Sequence, residues 1–176
     1  WYLLIYKHLF LITNDQKYLD LARQDAEKSL EIATKNKAPS DSCYFRLGEI
    51  AMLTENFQEA SDYFQKSVEN YTGSKAEKGD FTYHFGEAVW KSGDKKRGKE
   101  LMLEGLSIIQ ANRSEVDPFL IHVWESGAYM RLSECMFLED PDEARKHFEK
   151  GLQIVNSDKK LVIRKRQYKK LAKKFI

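Results

Sequence analysis

The chain has 176 residues, of which 42% are hydrophobic and 32% charged, with 3 prolines and 9 glycines. That length supports one sizeable core, and so few breakers exclude a β-barrel or sandwich, which needs many turns. The formal net charge is only +2 but uneven: residues 157–176 hold nine Lys/Arg against one acid, Asp158, about +8, so the remainder carries about −6.

In chain order, WYLLIYKHLFLI opens the sequence. It is strongly apolar but interrupted by Lys7 and His8, too short to cross a bilayer, and without the features of a signal peptide. It predicts a helix over Tyr2–Leu11, buried between neighbours and packed against an upstream hairpin. The chain begins at Trp1 rather than Met, as expected of a processed chain or a piece of a longer one. A second helix is predicted over Gln16–Asn36, with Leu19, Ala22, Ala26, Ser29, Leu30 and Ala33 on one stripe at 3.6-residue spacing. Pro39 ends it.

Further helices are predicted over Asp41–Leu53 and Phe57–Tyr71, with Gly73 in the left-handed cap position. Lys78–Lys91 and Lys95–Ala111 follow, joined by Ser92-Gly93-Asp94. After a longer link come Pro118–Phe137, with Pro suited to a first turn, and Pro141–Val155. Ser157–Lys174 is a basic helix. The two cysteines, Cys43 and Cys135, sit alone in helical segments, which fits reduced thiols and a cytoplasmic location.

The segments resemble one another. RLGEIAMLTENFQEASDYFQKSV (Arg46 to Val68) aligns with HFGEAVWKSGDKKRGKELMLEGL (His84 to Leu106) at a shift of 38, pairing Gly48 with Gly86, Ala60 with Gly98 and Ser67 with Gly105. The same shift backwards takes Ala60 to Ala22 and Ser67 to Ser29. A fourth copy begins at Arg131, displaced by 46, with Ala144, Phe148 and Gly151 in the second-helix positions. Small residues at such places let helix backbones approach closely. A hairpin of this kind cannot bury both faces alone, so copies stack.

With Tyr44, Leu47, Gly48 and Ala51 on its first helix and Ala60, Phe64 and Ser67 on its second, the second copy resembles the tetratricopeptide repeat family. The period of 38 exceeds the usual length, Phe10 stands where the first copy should have glycine, and Leu132 does so in the fourth. The resemblance implies an all-α solenoid of about nine helices paired as hairpins over residues 2–36, 41–72, 78–111 and 118–155, forming a repeat domain over 1–156. Residues 157–176 would then be a capping helix.

It also implies that the first helix of each hairpin lines a concave face. The inward positions would be Lys7, Phe45, Glu49, Met52, Tyr83, Glu87, Trp90 and Tyr129, an aromatic and acidic strip suited to a basic or apolar peptide or partner protein. Self-association or a larger assembly is compatible with such a scaffold. The basic helix, with Lys159, Lys165 and Lys173 outward, supports an alternative as a regulatory or nucleic-acid-associated module.

Signals for an enzyme are weak. His84 with Glu87, and Glu143 with His147, are helix-surface pairs without a third metal ligand. No phosphate loop or nucleophile motif occurs in the sequence. The expectation is a protein-interaction scaffold without catalysis, metal or cofactor, with an enzyme as a remote alternative.

Overall fold

The computed structural model describes residues 2–175, with side chains from Ile5 onward. Among the described residues it is all-α, with nine helices, one short 3-10 turn and no strand. The fold class is the hairpin repeat expected from the sequence. The chain divides into two compact units, residues 1–72 and 73–176.

In the first unit, α1 (Tyr2–Thr13) pairs with α2 (Lys17–Lys35), and α3 (Asp41–Leu53) pairs with α4 (Phe57–Asn70). α2 also packs on α3, and Ala22, Ala26, Leu47 and Ile50 form the core with Tyr6, Leu30 and Tyr63 beside them. Short connections make each pair antiparallel. Asn14 (φ 55°) and Glu55 (φ 60°) turn the chain in the left-handed region, at a steric cost that glycine would avoid.

Where its side chains are described, α1 is partly exposed, and the expected packing on an upstream hairpin lies outside the described residues. Ile5, Leu11 and Ile12 are exposed, Ile12 by 80%. α1 packs mainly on α2, and one neighbour cannot cover a helix that is apolar all round. The part of that expectation resting on the side chains of residues 1–4 lies outside the described residues. Ser29, expected on the buried stripe of α2, is exposed and donates to Asp25 O at 2.7 Å. Its repeat counterpart Ser67 is fully buried and donates across to Asp41 O at 2.9 Å.

In the second unit, α5 (Lys75–Ser92) pairs with α6 (Lys95–Ala111). A 3-10 turn (Arg113–Glu115) leads to α7 (Pro118–Met136), which pairs with α8 (Pro141–Ser157). α9 (Val162–Ala172) then packs on both α7 and α8.

α7 is enclosed by α5, α6, α8 and α9. Its buried residues, from Ile121 and Trp124 through Ala128 and Leu132 to Met136, therefore follow no single stripe. α5 and α6 approach through paired glycines. A Cβ on Gly86 would stand 2.6 Å from Met102 N, and one on Gly105 would stand 2.6 Å from Gly79 O. The backbone itself occupies the space.

Two local expectations change here. Gly73 does not take a left-handed conformation: among the described residues the one glycine with positive φ is Gly93, at 120°. α4 instead ends into extended chain at Tyr71. α5 begins at Lys75, because the Ser74 hydroxyl accepts from Glu77 N and caps its first turn. The basic segment becomes helical at Val162 rather than Ser157. Asp158 Oδ1 accepts from Lys160 N, and Asp158 Oδ2 lies 2.9 Å from His122 Nδ1, so the intervening residues form a turn.

Leu161, Tyr168 and Leu171 bury one side of the last segment against Met130, Phe148 and Val155. The Tyr168 hydroxyl crosses Gly151 to donate to Ser126 O at 2.8 Å. Val162 is 53% exposed.

Candidate partner-binding surfaces

The eight strip residues fall into two sets of four, one per unit. In the first unit Phe45 is buried and its ring lies 5.3 Å from that of Phe64. Glu49, one residue after Gly48, is ion-paired on two sides: Lys7 Nζ lies 2.6 Å from Oε1, and Arg46 Nη1 lies 2.6 Å from Oε2. Lys7 thus ties α1 to α3. Burial alone would raise the Glu49 pKa, but the two cations outweigh it and hold the carboxyl below its usual value. Met52 is half-buried.

In the second unit Glu87 occupies the same repeat position, one residue after Gly86, and is 6% exposed. Lys91 Nζ lies 2.8 Å from Oε1 and Arg131 Nε lies 2.8 Å from Oε2. The Arg131 contact is an ion pair by distance rather than an aligned hydrogen bond. Burial pushes the Glu87 carboxyl up, and Arg131 and Lys91 pull it further down, leaving its pKa below the ordinary value.

So the same carboxylate position ties α3 back to α1 in one unit and α5 forward to α7 in the other. Sequence reasoning missed the cations. Lys91 and Arg46 were within reach, four and three residues from their acids. Arg131 carries no local signal, because only the stacking of α7 on α5 delivers it.

Tyr83 is buried, and its hydroxyl lies over Gly127 in the space that a Cβ would fill. Burial pushes its phenol well above the usual pKa, with the Asp80 carboxylate adding to the shift. Trp90 is half-buried against the α5–α6 core, its backbone close to Gly98. Tyr129 is buried, and its hydroxyl accepts from Gln110 Nε2 at 3.1 Å. Phe45, Tyr83, Glu87 and Tyr129 are therefore packing and bridging residues within their units, and Met52 and Trp90 are more open.

Lys159, Lys165 and Lys173 are exposed, with Lys159 in the turn before α9. His84 lies 4.0 Å from Asp80 and stacks on Tyr83, while Glu87 turns to Arg131 and Lys91. His147 Nε2 lies 3.6 Å from Glu143, and burial lowers its pKa. Among the described residues no three His, Cys, Asp or Glu side chains group as metal ligands. Both cysteines are free, and burial pushes the Cys135 thiol up to about 12, so it is a poor nucleophile.

A family model matches the hairpin of α3 and α4: residues 42–72 match SHNi-TPR. Residues 42–72 are a tetratricopeptide-type repeat. In the second unit Gly86 holds the same repeat position as Gly48, but it meets backbone rather than a ring. No curated protein matches the chain. Repeats of this type are protein-interaction modules in general. Among the described residues no helix is long and apolar enough to cross a membrane.

Proposed function

We propose that this protein is an interaction scaffold that holds a peptide or partner protein on the concave face formed by the first helices of its hairpins. The observation that carries this reading is the tetratricopeptide-type repeat at residues 42–72. Within the strip, Met52 and Trp90 make the direct apolar contacts. Lys7, Phe45, Glu49, Tyr83, Glu87 and Tyr129 shape the faces on which they stand. A partner segment rich in apolar side chains suits both positions, since desolvated apolar anchors dominate such interfaces. The protein acts by binding rather than catalysis, in the reducing cytoplasm, where two free thiols are stable.

Photocrosslinking tests this. A photoreactive side chain at position 52 or 90 should capture a partner from native extract, and one at the exposed second-helix positions Gln65 or Glu104 should not. Capture from the second-helix positions alone would place binding on the opposite face and end the concave-face reading.

A further inference from the structure

α9 turns Tyr168 and Leu171 inward and leaves a different side open. Ile163, Arg164 and Gln167 on α9, with Lys160 in the turn before it, form one wall of a groove of about 420 Å3. Phe119 and Val123, one turn apart on α7, form the other wall, and buried Leu161 lies between them. Arg164 holds the walls in register by donating to Val123 O at 3.1 Å and to Gln167 Oε1 at 2.9 Å.

The groove is apolar inside and positive at its mouth. Ile163 on its rim is 69% exposed, too much apolar surface to leave in water without cost. Lys160 Nζ sits 5.9 Å from the centre of the Phe119 ring. The lining holds two cations, Lys160 and Arg164, and no acid. α9 itself contains no acid and starts at Leu161 without a side-chain cap, so its N-terminus adds positive potential.

We propose that this groove docks a short acidic, apolar segment of a partner protein. One or two apolar side chains would seat against Phe119, Val123 and Ile163, with carboxylates over Lys160 and Arg164. Charge complementarity selects the acidic partner. The groove is recessed between two helices, which suits an inserted side chain better than a flat bilayer. Phe119 is the groove's one aromatic, whereas single-stranded nucleic acid stacks successive bases on several aromatic side chains. None of the groove's lining residues belongs to the eight residues of the first-helix strip, so either reading can fail alone.

The test uses the full chain and a fluorescently labelled helical peptide with Leu on one face and Glu elsewhere. Its twin carries Lys in place of every Glu. The Glu peptide should bind, with affinity that falls as salt rises, and the Lys twin should not. Ile163→Glu should weaken binding about tenfold or more with an unchanged thermal melt, because the side chain is already exposed. Leu138→Glu, an equal change at a residue 86% exposed in the α7–α8 turn, should leave binding intact and controls for general surface effects. Lys160→Glu should remove most of the salt dependence. Equal binding of both peptides, binding of neither, or full affinity in Ile163→Glu would overturn the proposal. So would preferential binding of anionic lipid vesicles or of a single-stranded oligonucleotide.

Discussion

Gly48 and Gly86 hold the same repeat position in different units, yet they meet different neighbours. A Cβ on Gly48 would strike the Phe64 ring at 2.7 Å, whereas one on Gly86 would strike the backbone at Met102 N, 2.6 Å away, and Gly98 O, 2.8 Å away. The contrast recurs along the hairpins. Asn56 and Asp94 are equivalent helix starts, but Asn56 turns its amide to Thr54, while Asp94 accepts from Arg97 N and caps α6. Glu55 and Gly93 both take positive φ, and only the second unit places glycine there.

In the first unit Ile5, Leu11 and Ile12 of α1 are exposed, while in the second α9 packs on the last hairpin. One repeat pattern thus yields two levels of local optimisation. The second unit has side-chain caps at α5, α6, α7 and α8, while no such bond forms at the starts of α2, α3 and α4.

The largest test of the contrast removes what the second unit has and the first lacks. Deleting residues 157–176 strips Leu161, Tyr168 and Leu171 from Met130, Phe148 and Val155. Three such side chains at about 1.5–3 kcal/mol each put the loss on the order of 5 kcal/mol. The truncated chain should melt earlier and self-associate on gel filtration. Changing Lys159, Lys165 and Lys173 to Gln should leave the melt nearly unmoved, because exposed charges contribute little. A deletion that melts unchanged and stays monomeric would show that α9 does not seal the unit.

The glycine pair comes next. Gly86→Ala should cost about 2–3 kcal/mol in a denaturant melt, since backbone on the facing helix cannot step aside. Gly48→Ala should cost about 1 kcal/mol or less, because ring movement and the helix propensity of Ala offset the clash. Equal losses would mean that Phe64 is as immovable as the α6 backbone.

Acid should strike both units through one repeat position. The Glu49 and Glu87 carboxyls are held below the ordinary 4.5. A carboxyl depressed on folding stabilises fully above its unfolded value, and that stability is lost as pH falls through the folded one. Stability should therefore decline below about pH 4.5. Glu49→Gln and Glu87→Gln should each flatten part of that decline while lowering stability at neutral pH. An acid limb of unchanged steepness in both variants would assign it to other carboxylates.

Smaller effects separate the turns. Asp94→Ala should cost about 1 kcal/mol and Asn56→Ala well under that, since only Asp94 caps a helix. Glu55→Gly should stabilise the first unit by up to about 1 kcal/mol, because glycine relieves the left-handed backbone. A destabilised Glu55→Gly would show that the turn costs less than the freedom glycine restores to the unfolded chain.

Much of the helix pattern was legible. Asp41–Leu53 and Lys95–Ala111 were read with the bounds the structure has, because Asp, Pro and Gly punctuate both. The start of α5 lies three residues before its expected position, because Ser74 and Glu77 form a cap there while Gly73 takes no left-handed conformation. The start of α9 was illegible, because Asp158 prefers a partner 36 residues away, His122, to the helix it might have begun. On the strip, residue types and spacing were readable, but not the burial of Phe45, Tyr83 and Tyr129 or the capture of Glu87 by Arg131.

The sequence by itself determined the helices and the repeat, because hydrophobic spacing, caps and breakers act within a few residues of chain. It determined the close approach of α5 and α6 as well, since glycines at two turns' spacing on both helices leave room for little else. Only the tertiary structure decided which carboxylates are neutralised, which apolar faces are covered and where a groove stays open. Those outcomes depend on side chains that meet from distant segments, and stacking geometry, not local spacing, sets which of them come within ion-pair or van der Waals reach.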